Sequence, residues 1–481
     1  MNGSTILVVD VGTSALKAVL FGPDGSILAS AVEPIATRHG MNGEHEQDVE
    51  GWWRALGKVT RTLPGAGAVA SMAFSGSMQN LIALHGDGRP AAPAVLYSDQ
   101  RLDADEVSGL AAKLPADYGR RIGNRPDGAH TIFRLMARQR YELPATDVFW
   151  AFGAKDALTF RLTGRRVIDP TVASTTGLMD FSSRRWDRDL LGLAGVDVAS
   201  LPAIEPANGI VGRITAGAAA ETGLPAGIPV FNGAGDAAAA TWGAMADEPG
   251  AAYCYLGTTG WVAATVHSDD DMLPRDIYTL ADPVRADCAI IISPFLTAGA
   301  AMDWLSATTG QTIEKLCKRA ASHDEAPGKP LFLPYLGGER APFQDRDVRG
   351  AFLGLEQTSD AGALALAVME GIAFAVRHNL EAAELPRSLL TAIGGGVRHP
   401  LQQQILADVL DRDIRIPADS EATTAAGIMR MVAGKAGVKA DAIAQDTIVK
   451  PRPQRVQRHI RRYEAYLSAT SMARTLAAGL E

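Results

Sequence analysis

The 481 residues hold 46 lysines and arginines against 54 acidic residues, a net charge of −8, and are 47% hydrophobic but only 21% charged. So apolar a chain excludes disorder over most of its length, and its acidic balance excludes a nucleic-acid or anionic-membrane binder, which needs surplus cations to neutralise phosphate. Three scattered cysteines and nine histidines with no HxxxH pair exclude a disulfide framework and argue against a metal hydrolase.

At roughly 150 residues per domain, the length predicts two to four domains. No basic segment opens the chain, and Asp10 interrupts the first apolar run too early for a signal peptide, so a soluble cytoplasmic protein is expected. Residues 6–9 read as a β-strand, Asp10-Val-Gly-Thr-Ser14 as a turn, residues 16–21 as a second strand and, after Gly22-Pro-Asp-Gly25, residues 26–32 as a third. Turns this close allow only an antiparallel meander. A helix is expected over 49–63, with Trp52, Trp53, Leu56 and Val59 on its core face, and a buried strand over 68–74. The unit is β-β-β-α-β with a mixed sheet.

From Ala252 the pattern returns: a strand, Gly257-Thr-Thr259, and another strand. The Gly-Thr-Ser and Gly-Thr-Thr turns fall at corresponding places, which hints at duplication. Beyond them the chain reads as α/β. Helices are expected over 361–380, 401–410 and 421–432, strands over 388–393 and 414–417, and Gly394-Gly-Gly396 lies at a strand end. Arg452, Arg455, Arg458, Arg461 and Arg462 read as the solvated face of a terminal helix. Without a low-complexity linker, the two halves should share an interface and a hinge.

Several residues could carry chemistry. In the first hairpin Gly12 permits a sharp turn that offers amide N–H groups to an anion, Thr13 and Ser14 add hydroxyls, Lys17 a cation, and Asp10 a carboxylate suited to hydrated Mg²⁺. An ordinary hairpin is the alternative. The second hairpin, Gly257, Thr258 and Thr259, favours two turns clamping a polyphosphate. Gly233-Ala-Gly-Asp236-Ala-Ala fits a dinucleotide fingerprint, yet Asp236 stands where a pyrophosphate would approach. At a helix start, kept ionised by the dipole, Asp236 suits a general base; a helix cap is the other reading. Met78 and Gln79 follow the buried strand, and Asp99-Gln-Arg101 is either a sugar-contacting cluster or a solvated loop. No GxxxxGK[ST] loop, protein-kinase glycine loop or GxSxG elbow occurs.

Taken together, these residues resemble the FGGY carbohydrate kinases of the actin- and hexokinase-like superfamily. The resemblance runs from Ile6 to about Val449 and rests on ordered landmarks. Among them are Asp10-Val-Gly-Thr-Ser, Glu46-Gln-Asp…Trp52-Trp53, Ser75-Gly-Ser-Met-Gln79 and Tyr97-Ser-Asp-Gln-Arg101. Lys155-Asp156, Gly233-Ala-Gly-Asp236, Leu256-Gly-Thr-Thr259, Gly337-Gly-Glu-Arg340 and Gly394-Gly-Gly396 follow. Within the family the chain is most similar to the xylulokinases.

The resemblance implies two actin-like (ribonuclease H-like) α/β domains with mixed sheets, residues 1–244 and 245–481, facing each other across a cleft. The first would hold the sugar and the second ATP. It implies ATP and Mg²⁺ as cofactors, a small sugar, D-xylulose foremost, as partner, and Asp236 as catalytic base. Asp10 would serve the metal. Thr13, Ser14 and Lys17 would form one phosphate loop and Gly257, Thr258 and Thr259 the other. Gly299, Asp303, Gly395 and His399 would form the nucleoside pocket, and Met78, Gln79, Asp99 and Asp236 would meet the sugar. Neither nucleic acid nor membrane is implied, and the assembly is left open between monomer and homodimer. Three departures lie on the sugar side. Gln79 stands where xylulokinases usually carry His, Ala237 where an amide follows the base, and Thr131-Ile-Phe-Arg134 where Lys-Leu-x-Trp is usual. Gluconate, ribulose or a polyol are therefore alternative substrates, and a non-catalytic sensor or a dehydrogenase are readings from other classes.

Overall fold

The computed structural model describes residues 4–144, 146–268, 277–324, 330–385, 387–418, 422–439 and 446–477. The opening meander forms as expected. β1 (Ile6–Val11), β2 (Ala15–Phe21) and β3 (Ile27–Pro34) run antiparallel. α1 (Val49–Thr62) crosses over, and β4 (Ser71–Gly76) returns parallel to β1. Asp48 caps α1 by accepting from the Glu50 N–H, and Trp52, Leu56 and Val59 on its inner face are buried. Two helices follow, α2 (Thr131–Met136) and α3 (Ala154–Thr163). β5 (Ile210–Arg213), β6 (Pro229–Phe231) and β7 (Ala234–Gly235) complete a seven-stranded sheet ordered β5-β6-β4-β1-β2-β3, with β7 beside β4, and lead into α4 (Asp236–Gly243).

The second half repeats the plan. β8 (Ala252–Leu256), β9 (Gly260–His267), β10 (Tyr278–Ala281) and β11 (Cys288–Phe295) are antiparallel neighbours. Helices α5 (Gly299–Thr309), α6 (Ile313–His323) and α7 (Ala361–Ala382) precede β12 (Leu390–Ile393). Then come α8 (Pro400–Leu410), β13 (Ile414–Ile416), α9 (Thr423–Ala436), β14 (Thr447–Val449) and α10 (Pro453–Ala477). The helix expected from position 421 begins its described course at Thr423; Glu421 lies outside the described residues. The sheet order is β10-β11-β9-β8-β12-β13-β14. Without the outer strands, β3-β2-β1-β4-β6 and β11-β9-β8-β12-β13 match strand for strand, two antiparallel pairings followed by two parallel ones. The fold is thus α/β, two actin-like, ribonuclease H-like domains, and the repeated turn is a trace of that duplication.

α9, although late in sequence, packs on α4, β1 and β4 of the first domain, so Ile428 and Val432 share one core with Ile6, Val8 and Phe231. The crossing is very close: a Cβ at Gly427 would stand 1.9 Å from the Ala239 carbonyl oxygen. α7 is long and apolar enough to cross a membrane, but 78% of its most apolar stretch is buried inside the protein, as the core helix of the second domain. Arg461 is exposed as expected, but Arg452, just before α10, and Arg462 on it depart from expectation. Arg452 binds Asp324 (2.9 Å) and Asp408 (2.7 Å), and Arg462 binds Glu370 (2.5 Å). Glu370 and Asp408 are buried on α7 and α8, and carboxylates removed from water need cationic partners, so this face turns inward rather than to solvent.

Candidate functional site

The first hairpin is fastened from outside. The Gly12 N–H closes the turn on the Ala15 carbonyl (3.1 Å), while the Gln47 side-chain amide donates to the Thr13 carbonyl (2.6 Å) and accepts from the Trp52 indole (2.9 Å). Gln47 and Trp52, which the sequence marks only as landmarks, are thus the hairpin's buttress. Ser14 and Lys17 are exposed. Pairing places Asp10 opposite Lys17 on β2 and beside Ser75 on β4, with Ala234 of β7 next in the row. Asp236 lies two residues past Ala234, so strand spacing puts it about 10 Å across the sheet from Asp10. Asp10 Oδ1 is buried with no hydrogen-bond partner among the described residues. Burial raises the Asp10 pKa, against the lowering influence of Ser75 and Lys17.

Asp236 reaches its place through a tight crossing. Gly233 has φ +69°, and a Cβ there would stand 1.8 Å from the Phe74 carbonyl oxygen, so the chain can pass over β4 only as glycine. Gly235 caps α4 and Asp236 is its first residue, its own Oδ1 accepting from the Ala237 N–H (2.8 Å). Asp236 keeps an exposed edge, yet protein packed around its carboxyl group withdraws much of its hydration. That desolvation, with the nearby Asp10 charge, pushes its pKa up to about 7. The helix dipole expected to keep it ionised is outweighed, because α4 is only two turns long and a second carboxylate lies near.

Below this point lies a cluster of which the sequence marked only the Lys155-Asp156 landmark, without a role. Lys155 is fully buried and its Nζ meets Asp156 (2.7 Å), Asp169 (3.0 Å) and the Asn232 side chain (3.3 Å). Asn232 precedes the Gly233 crossing, so the ammonium ties α3 to the strand end that carries Asp236. The adjacent Lys-Asp pair at the start of a helix was the visible signal; its partners are distant in sequence.

The second hairpin is built on α5. The Gly299 N–H donates to the Gly257 carbonyl (2.7 Å), and the Ala298 and Ala300 N–H groups share the Thr258 carbonyl (3.1 Å each). A Cβ on Gly299 would stand 2.6 Å from the Gly257 oxygen. Next to it is a cavity of about 650 Å³ that brings together Gly257, Thr258, Gly299, Asp303, Gly395 and His399. Its apolar wall is Met302, Ile313, Cys317, Met369 and Ile372, a slot fitted to a flat heterocycle. Ile313 and Cys317, one turn apart on α6, were not among the residues the sequence singled out for this pocket. Thr259 is exposed at the hairpin tip and does not line this cavity. Burial lowers the His399 pKa, and its Nδ1 accepts from the Leu401 N–H (3.2 Å), so the ring is neutral as it caps α8.

Of the residues expected to meet the sugar, Met78 packs where a Gly235 side chain would be, beside Asp236, and Gln79 has a left-handed backbone, φ +59°. Asp99 does not join them. Its carboxylate is fully covered, accepting from the His45 N–H (2.9 Å) and the Arg101 guanidinium (2.7 Å). It holds its own loop in place and leaves no free oxygen directed at a sugar.

Two domains of one topology, each with a glycine hairpin, an apolar slot on one side and a near-neutral carboxylate on the other, have the architecture of a phosphotransferase. Comparison with known proteins gives the particular family. Residues 5–243 match the N-terminal domain of the FGGY family of carbohydrate kinases, and residues 252–436 match its C-terminal domain. A xylulose kinase of Klebsiella pneumoniae is 29% identical over 422 residues, 85% of this chain and 86% of that protein. A glycerol kinase of Gloeobacter violaceus is 30% identical over 434 residues, 86% of this chain and 84% of that protein. The crystal structure of a xylulose kinase from Rhodospirillum rubrum superposes with a TM-score of 0.87 at 25% identity, covering 98% of this chain and all of that one. The chain belongs to the FGGY family of carbohydrate kinases.

Proposed function

We propose that this enzyme transfers the γ-phosphoryl group of Mg-ATP to a hydroxyl of D-xylulose, with Asp236 as general base. The observation that carries the reading is the Asp236 carboxylate with a pKa of about 7, placed beside Met78 at the sheet end where the first hairpin turns. A carboxylate poised there accepts the sugar hydroxyl proton near neutral pH. As the hydroxyl oxygen bonds to the γ-phosphorus, the bond from that phosphorus to the β–γ bridging oxygen breaks and ADP leaves. Such transfer needs positioning and charge neutralisation more than covalent chemistry. The slot beside Gly257 and Gly299 would take the adenine, and the hairpin amides and Lys17 the phosphates. Closure of the cleft would exclude water from the transfer.

Mg²⁺ fits the first domain: the buried, partnerless Asp10 Oδ1 and the carboxylate pair Asp10 and Asp236 favour a cation between phosphate and protein. Asp10 would hold it, directly or through water, and when bound the ion neutralises phosphate charge. The three buried free thiols suit a reducing, cytoplasmic setting.

A second reading, a kinase for gluconate, ribulose or a polyol, draws on Ala237, which offers no side-chain hydrogen bond beside the base. A panel of ketoses, aldonates and polyols, assayed for ADP release with Mg-ATP, separates the two. The first reading expects the highest kcat/KM with D-xylulose, and a tenfold or greater preference for an aldonate or polyol, about 1.4 kcal/mol, overturns it.

A further inference from the structure

Arg134 is among the largest fully buried side chains of the molecule, 2% exposed, on the short helix α2. A buried guanidinium is commonly matched by a carboxylate, but this one bonds to backbone oxygens. Nη1 donates to the carbonyls of Gln79 (2.9 Å) and Ala129 (3.3 Å), and Nη2 donates to that of Tyr97 (2.8 Å). The three carbonyls belong to three separate loops. The first follows β4 and carries Met78 and Gln79, the second precedes Asp99, and the third enters α2. A planar fork with five N–H donors spread over three nitrogens spans three loops in a fixed geometry, whereas an ammonium must reach them from a single nitrogen.

The contact to Gln79 matters most. Its φ of +59° is a conformation that a non-glycine residue adopts at a cost, so the surroundings must hold it there. On its far side the Asn80 N–H donates to the Phe152 carbonyl (3.0 Å), and on its near side Arg134 takes the Gln79 carbonyl, so the peptide between them is fixed at both ends. Tyr97 is gripped in the same way, its N–H donating to the Asn80 side chain (3.3 Å) and its carbonyl accepting from Arg134. The direction of the Gln79 side chain follows from this clamp.

We propose that Arg134 is a positioning residue for sugar recognition, which holds the strained Gln79 turn and the Tyr97 loop in the arrangement that meets the sugar. The inference rests on the proposed kinase function, and it gives a role to Arg134 of Thr131-Ile-Phe-Arg134, the stretch where the chain departs from Lys-Leu-x-Trp.

The test is steady-state kinetics with the best sugar of the panel, for wild type, Arg134→Met, Arg134→Lys, Gln79→Ala and the double variant Arg134→Met/Gln79→Ala. Arg134→Met is expected to raise the sugar KM about 30-fold, with kcat and the ATP KM within about threefold, as befits lost ground-state positioning. Arg134→Lys, with its donors on a single nitrogen, falls between, at roughly fivefold. Gln79→Ala is expected to cost about tenfold in sugar KM alone but less than twofold on the Arg134→Met background, because the two act as one unit. A sugar KM unchanged in Arg134→Met, equal losses for sugar and ATP, or fully additive effects with Gln79→Ala each overturn the proposal. Should Arg134→Met be insoluble, Arg134→Lys decides by itself, and a wild-type sugar KM in that variant overturns it. Absence of turnover by wild type with every sugar overturns the kinase reading, and this one with it.

Discussion

The two glycine hairpins have the same place in the same topology, and they differ in what flanks the turn. In the first, Asp10 faces Lys17 across the strands; at the corresponding step of the second, Tyr255 faces Trp261, their rings stacked 4.0 Å apart at 16°. The loop between paired residues is also one residue shorter in the second, Leu256 pairing Gly260 where Val11 pairs Leu16. Duplication kept the glycine, which the turn needs, and divided the rest. One copy carries charge at the proposed reaction centre, and the other carries packing that holds a hairpin against α5 and the apolar slot. Loss of rate should therefore concentrate in the first copy and loss of nucleotide affinity or stability in the second.

The sharpest way to break this contrast is at Asp236. Asp236→Asn is expected to lower kcat by about 10³-fold while leaving nucleotide affinity near wild type, measured by ADP release and by calorimetric titration of ATP. Near-normal turnover would remove the base from the first domain altogether. Asp10→Asn comes next, with an expected loss of about 10²-fold in kcat. Its sign at Asp236 is also fixed: an anion at Asp10 disfavours ionisation of the neighbouring carboxyl, so removing it lowers the Asp236 pKa from about 7. A ¹³C NMR titration of the ligand-free enzyme should show the Asp236 midpoint moving to lower pH. An unmoved midpoint would mean that the two carboxylates do not sense each other.

Much of this was legible in the sequence, and the limits have physical causes. Turn chemistry is local, so Gly12, Gly25 and the meander could be read from neighbouring residues, and α1 and α7 from their helical spacing. The cavity proposed for the nucleoside was foreshadowed only through the family resemblance, as separate segments, Gly299 and Asp303 on α5 and Gly395 and His399 near α8, that the second domain brings together. Charge was harder. The α10 arginines looked solvated because Asp324, Glu370 and Asp408 come from three distant helices or their ends. Asp99 looked free because the sequence shows neither that the neighbouring Arg101 folds back onto it nor that the His45 N–H, 54 residues away, donates to it. The Asp236 pKa depends on Asp10, brought near only by two strand pairings, whereas the helix-start effect is all that adjacent residues reveal.

On the second hairpin, Gly299→Ala tests the fastening to α5. Its Cβ would meet the Gly257 oxygen at 2.6 Å, and overpacking of this kind costs about 1–3 kcal/mol. Since the displaced atoms line the nucleotide slot, the ATP KM should rise about tenfold with the sugar KM unchanged. An equal rise in both would mean that the hairpin serves the whole cleft.

The smallest effects give the finest discrimination, through a crossed pair of variants at matched positions. Trp261→Leu removes the stack on Tyr255 and the indole hydrogen bond to the Tyr253 hydroxyl (3.0 Å). A lost aromatic pair and hydrogen bond together are worth about 1–3 kcal/mol, a Tm drop of a few degrees in a domain of this size, while kcat should stay within about twofold. Lys17→Met should do the reverse. Lys17 is exposed and its removal leaves the strand pairing intact, so Tm should hold within about one degree, while one phosphate-facing cation is lost and kcat falls about fivefold. The argument from duplication needs both halves of this cross. If Trp261→Leu slows turnover as much as Lys17→Met does, the stack takes part in phosphate positioning, and the division of labour between the two hairpins fails at its most closely matched step.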